Sequence, residues 1–126
     1  MQKIGLLTSG GDVPGLNAAI RAVTMSAHLQ NMVVIGIHGG FDGLINKDWN
    51  ILTKEEIRNI GHLGGTILKS SRSEEFKTPE GRAKAFENIQ NAGIEALIVI
   101  GGDGTFRGIQ TFIGEYQVPV IVIPKT

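Results

Sequence analysis

The residues best placed to do chemistry are Gly101-Gly102-Asp103-Gly104-Thr105, directly after the apolar run at 96–100. Gly101 and Gly102 allow backbone amides close to an anion, and Gly104 with Thr105 opens a helix whose free amides favour negative charge. A single carboxylate beside a polyphosphate suits Mg²⁺, which keeps most of its waters and takes one or two protein carboxylates. Asp103 is therefore the candidate metal ligand, with Gly102, Gly104 and Thr105 around the phosphates. The plainer alternative is that Asp103 caps the helix and holds nothing.

A second stretch, "TSGGDVPGLN" at 8–17, has a strand end, a tight Gly10-Gly11 turn and a following helix. Those are the parts of a phosphate cradle, although no Gly-Lys-Ser/Thr follows and the G-x-G-x-x-G spacing is absent. It reads equally well as a plain strand-to-helix turn capped by Asp12. Arg72, in "KSSRSEEFKTPEG", offers a planar fork for two phosphate oxygens, or else is a solvated loop charge. Lys77 and Arg107 are weaker candidates for the same work. His28, His38 and His62 are too dispersed for a metal set. Trp49, Tyr116 and most phenylalanines read as packing.

These residues need a scaffold, and the apolar pattern supplies one. Runs at 4–8, 33–38, 96–100 and 118–123 are continuous rather than alternating, as in parallel strands covered on both faces. Leu16, Ala19, Ile20, Val23 and Ala27 form one helical stripe between the first two. A second helix starts at "TPEGRAKAFENIQNAG", with Thr78 as cap, Pro79 at its first position and Gly93 at its exit. Its buried stripe is Ala85, Phe86, Ile89 and Ala92. A third helix spans 104–115, a short one begins at "TKEE" with Thr53 and Glu56 as a capping box, and "TILKS" reads as a short strand. This alternation predicts an α/β fold: a doubly wound, mostly parallel, Rossmann-like sheet with helices on both faces. In such folds ligands sit beyond the carboxyl ends of strands, where both glycine clusters fall.

The bulk properties agree. A chain of 126 residues makes one domain. Twelve Lys plus Arg balance twelve Asp plus Glu, so no overall field draws it to nucleic acid or to a membrane. The absence of cysteine excludes disulfides, thiolate metal sites and a cysteine nucleophile. With neither a signal peptide nor an apolar run of transmembrane length, a cytoplasmic protein is expected. Eighteen glycines are about twice the usual share, clustered mainly at strand ends.

"KIGLLTSGGDVPGLNAAIRAV", "GGTILKSSR", "FKTPEGR" and "EALIVIGGDGT", in that order, resemble the N-terminal part of the 6-phosphofructokinase family. "GGDGT" alone also suits NAD and lipid kinases; the opening block separates them. The resemblance implies a glycolytic kinase that moves a phosphoryl group from Mg-ATP to the 1-hydroxyl of fructose 6-phosphate. It assigns Gly11 to the nucleotide phosphates, Arg72 to the charge of the transferring group, and Ser73 and Ser71 to its flanks. Gly102, Gly104 and Thr105 line the phosphate and nucleoside path, Asp103 binds Mg²⁺, and Thr126 faces the sugar substrate. Positioning and charge neutralisation are what phosphoryl transfer asks of a protein.

Two departures stand out. Gly104 resembles ATP users, whereas Lys125 resembles users of pyrophosphate. Because an aspartate at 104 would set negative charge against ATP while Lys125 can simply pair with phosphate, ATP is the expected donor and pyrophosphate the alternative. Arg21 and Lys54 correspond to family effector-binding positions, but Met25 stands where a second arginine is usual, which weakens the case for control by ADP or phosphoenolpyruvate. The resemblance further implies that residues 1–126 are a donor-binding domain truncated before the substrate-binding part, without the general base, and that the whole enzyme is a homotetramer. The chain alone is expected to bind donor weakly and to turn over negligibly. The rival from another class is a non-catalytic nucleotide-binding module.

Overall fold

The computed structural model describes residues 2–10, 16–58, 60, 67–70 and 73–124. Strands β1 (Lys3–Thr8), β2 (Val33–Ile37), β3 (Trp49–Ile51), β4 (Ala96–Gly101) and β5 (Val120–Pro124) form one sheet in the order β3-β2-β1-β4-β5. Four strands are parallel; β3 pairs antiparallel with β2 at one edge. β1 lies in the middle, with Lys3–Leu6 opposite 33–36 on one side and Ile4–Thr8 opposite 96–100 on the other. Helices α1 (Leu16–Leu29) and α3 (Lys54–Ile57) cover one face, and α2 (Phe41–Asn46), α4 (Pro79–Ala92) and α5 (Asp103–Glu115) the other.

The two cores show why β1 reads as a continuous apolar run. Leu7 joins Leu97, Val99, Ile89 and Phe112 on the α4–α5 face, whereas Ile4 and Leu6 join Val34, Ile20 and Ile57 on the α1–α3 face. Alternate side chains leave the strand in opposite directions, so a strand covered twice is apolar throughout.

Helix ends follow local chemistry. The Thr78 hydroxyl accepts from the Gly81 amide at 3.0 Å, Pro79 opens α4, and Gly93 closes it in the left-handed region at φ 73°. Gly81 is required there, since a Cβ would sit 1.9 Å from the Glu75 carbonyl oxygen. Thr53 caps α3 by accepting from the Glu56 amide at 3.2 Å. The Glu56 carboxylate accepts from the Thr53 hydroxyl instead of closing the box on its backbone.

Several expectations are corrected. β5 is not a buried strand: at the edge of the sheet Ile121 is 63% exposed, while Val120, Val122 and Ile123 are only partly buried. Residues 67–70 of "TILKS" form a turn and irregular backbone, with Lys69 at φ 57°, although Leu68 is fully buried. α2 and β3 were not foreseen. Among the described residues no helix is long and apolar enough to cross a membrane.

Candidate functional site at the strand ends

Register brings the two glycine clusters together. Thr8 lies opposite Ile100, and the Ser9 amide donates to the Ile100 carbonyl at 2.8 Å. β1 and β4 therefore end side by side. Gly10 leaves β1 at φ 88°, a backbone that side chains resist. On the β4 side, a Cβ at Gly101 would meet the Thr105 hydroxyl at 2.4 Å, so the close return of the helix over the strand end needs a glycine.

α5 begins differently from the capped helix proposed as the plainer alternative. Its N-cap is Gly102, with no side-chain cap hydrogen bond, and Asp103 is the first helical residue. The first helical backbone bond runs from the Phe106 amide to the Gly102 carbonyl, which leaves the amides of Asp103, Gly104 and Thr105 without a partner inside the helix. Partial positive charge collects at this turn. Asp103 and Gly104 are exposed, whereas Thr105 is buried.

Beside this turn opens a cleft of about 420 Å³. Ser9, Gly10, Gly102, Gly104 and Thr105 line one end of it, while Phe41, Phe76 and Gly108 give it an apolar part. The Phe41 and Phe76 rings stack 4.1 Å apart, and Gly108 leaves room beside Phe76, whose ring would lie 3.8 Å from a Cβ there. Asp103 sits between two lining glycines without lining the cleft itself. Lys77 is the only cation among the described lining residues, and it already pairs with Glu74 at 3.2 Å on open surface. Ser73 also lines the cleft; its hydroxyl donates to the Asp42 carboxylate and accepts from the Phe76 amide at 3.1 Å. Gly11, Ser71, Arg72, Lys125 and Thr126 lie outside the described residues.

Phe41, Phe76 and Gly108 escaped the sequence reading. Aromatic residues in an apolar pattern look like packing, and these do pack, being 5% and 4% exposed. Only the fold reveals that one side of that packing is a cleft wall. Arg107 is exposed and lines no part of the cleft.

A second cleft, of about 330 Å³, lies between α1 and α3. It brings Arg21 and Lys54 together, adds Arg58, and includes Met25 and Leu29 on its apolar side. Arg21 Nε donates to the Arg58 carbonyl at 3.3 Å. His28 Nε2 meets the Leu52 carbonyl oxygen at 3.2 Å.

A mostly parallel sheet with helices on both faces, whose strand ends, helix N-terminus and glycine turns converge on one cleft, defines a doubly wound α/β protein. Residues 3–126 match the family model for phosphofructokinase, and the chain belongs to that family. It is 52% identical over 126 residues to an ATP-dependent 6-phosphofructokinase of Cytophaga hutchinsonii, covering all of this chain and 38% of that protein. It is likewise 52% identical to ATP-dependent 6-phosphofructokinase 1 of Thermus thermophilus, covering all of this chain and 39% of that one. The fold superimposes on phosphofructokinase from Saccharomyces cerevisiae with a TM-score of 0.92 and 31% identity, over all of this chain and 20% of the yeast chain. The chain thus spans less than two-fifths of the length of these curated relatives.

Proposed function

We propose that this chain is the donor-binding part of an ATP-dependent 6-phosphofructokinase, which moves the terminal phosphoryl group of ATP to the 1-hydroxyl of fructose 6-phosphate. One observation carries the choice of donor: the cleft has a glycine-and-amide end at Gly102–Thr105 and an aromatic part at Phe41 and Phe76. The first suits phosphates and the second a nucleoside. Pyrophosphate, the alternative donor, has no group to place against the aromatic part. An open position at Gly104, where a Cβ would meet nothing within 4 Å, supports the same reading.

In this reading the unpaired amides of the first turn of α5 hold phosphate oxygens, and Gly10 lets the end of β1 approach from the other side. Mg²⁺ fits the donor set as a one-carboxylate ion: Asp103 is exposed on the first turn, and among the described residues no three His, Asp or Glu side chains cluster. When bound, it supplies charge neutralisation for the phosphates. Gly11 and Ser73 add nucleotide contacts, Arg72 spreads the charge of the transferring group, and Lys125 pairs with phosphate. Thr126 faces the sugar. The remaining sugar contacts and the general base come from sequence that the relatives have beyond the matched part. The protein acts in the cytoplasm, as a homotetramer when whole, with Arg21 and Lys54 forming a weakened effector site.

The test is a calorimetric titration with Mg-ATP and, separately, Mg-pyrophosphate, repeated with Asp103→Ala. Saturable ATP binding that needs Asp103 is expected. Binding of pyrophosphate alone would hand the donor to the alternative, and binding of neither would refute the donor site.

A further inference from the structure

The aromatic part of the cleft is held by polar groups, of which only Ser73 lines it among the described residues. Phe76 belongs to a 3₁₀ turn, Glu75–Lys77, between the Ser73 loop and α4. Its amide donates to the Ser73 hydroxyl, which itself leans on Asp42 at the start of α2. Its carbonyl accepts from Arg82 Nη1 at 3.2 Å. The same guanidinium reaches the last residue of α5: Nε donates to one Glu115 oxygen at 2.5 Å and Nη2 to the other at 3.3 Å. Arg82 is only 8% exposed, a degree of burial that an arginine accepts when its fork is satisfied.

This fork joins three elements. α5 carries the phosphate-facing turn at one end and Glu115 at the other, a span of 13 residues. The 3₁₀ turn carries the aromatic wall, and α4 carries Arg82 itself. We infer that Arg82, through Glu115 and the Phe76 carbonyl, is a positioning residue that sets the separation between the aromatic wall and α5, and so governs recognition of the nucleoside half of the donor. The inference rests on the proposed donor cleft, but its geometric part stands without it. Loss of the fork frees the Phe76 carbonyl and the far end of α5 while leaving Gly10, Gly102 and Gly104 in place. The nucleoside half then loses its wall, and the phosphate half does not.

The discriminating ligands are Mg-ATP and Mg-tripolyphosphate, which share a phosphate chain and differ in the nucleoside. Both are titrated by NMR into the full chain and into Arg82→Met and the milder Glu115→Gln; amide exchange is followed at Phe76, Lys77 and Thr78, with Val99 in β4 as the internal standard. The expected result is a loss of about tenfold or more in ATP affinity for Arg82→Met, a smaller loss for Glu115→Gln, tripolyphosphate unchanged within about twofold, and faster exchange confined to residues 76–78. Arg82→Lys, which keeps the charge but not the fork, recovers only part of the ATP affinity. Equal losses for both ligands would mean general damage to the fold and would overturn the inference, as would unchanged ATP binding in both variants. If the unaltered chain binds neither ligand, the donor-site reading fails and exchange alone decides: acceleration confined to 76–78 supports the brace, and none overturns it.

Discussion

The cleft at the strand ends and the cleft between α1 and α3 are similar in size and opposite in construction. At the ends of β1 and β4, glycines and backbone amides make the surface, and the fold fixes their positions before any ligand arrives. Between α1 and α3, the polar surface consists of long cationic side chains, Arg21, Lys54 and Arg58, on helix faces. A backbone site changes only if the fold changes, whereas a side-chain site can be retuned one residue at a time. Met25, a 43%-exposed apolar residue among those cations, is a position where such retuning need not disturb α1.

The most severe break in the contrast is Gly81→Ala. The new Cβ collides with the Glu75 carbonyl in a backbone that cannot move aside, so a loss of about 3 kcal/mol is expected in denaturant unfolding. Asp103→Ala comes next: Mg-dependent donor affinity falls by about 2 kcal/mol, roughly thirtyfold. Unfolding stability changes by less than about 1 kcal/mol, because Gly102 is the N-cap and Asp103 adds only a first-turn charge. Calorimetry with and without Mg²⁺ separates the two effects. Gly104→Asp meets open space, so stability holds or rises by about 0.5 kcal/mol while ATP affinity falls about tenfold, read by melting and titration on the same sample.

On the other side of the contrast, Met25→Arg should strengthen binding of inorganic phosphate between α1 and α3 by about 1 kcal/mol or less, with the donor cleft unaffected. A gain at the donor cleft instead would show that the two sites are not independent. The smallest effect concerns pH. The hydrogen bond from Arg82 holds the Glu115 carboxyl below the usual glutamate range, and Glu115 correspondingly raises Arg82. A carboxylate with a lowered folded value contributes stability that is complete above its unfolded value and is lost as pH falls through the folded one. The brace should therefore persist at neutral pH and weaken only below the ordinary glutamate range, visible as accelerated exchange at residues 76–78 in acid.

Much of the backbone site was legible because it is local. The Thr78-Pro79 start and Gly93 exit of α4 announce themselves within a few residues, as do the glycine runs after β1 and β4. The elements that were missed depend on distant partners. α2 contains Gly43, whose absent Cβ keeps clear of the His38 carbonyl, and its exit is held by Asn88 of α4, which donates to the Leu44 and Ile45 carbonyls at 2.8 and 3.0 Å. No short window around "FDGLIN" contains that asparagine. "TILKS" misled for the converse reason: Leu68 is apolar because it is buried, yet it reaches the core from a turn. Arg82 and Glu115 are 33 residues apart, and in the sequence each is an ordinary surface charge on a helix.

The central place of β1 also sets an order of events during synthesis. Its β2 edge can pair within some 30 residues, but the partner on its other side starts at Ala96. At ordinary translation speeds of about 5–20 residues per second, the stretch from Thr8 to Gly101 takes roughly 5 to 20 seconds to make. Throughout that interval one edge of β1 is open and the two glycine turns are apart. The cleft at the strand ends is thus assembled late, by the closing of a long loop, and the nascent chain carries an unpaired apolar strand until it closes.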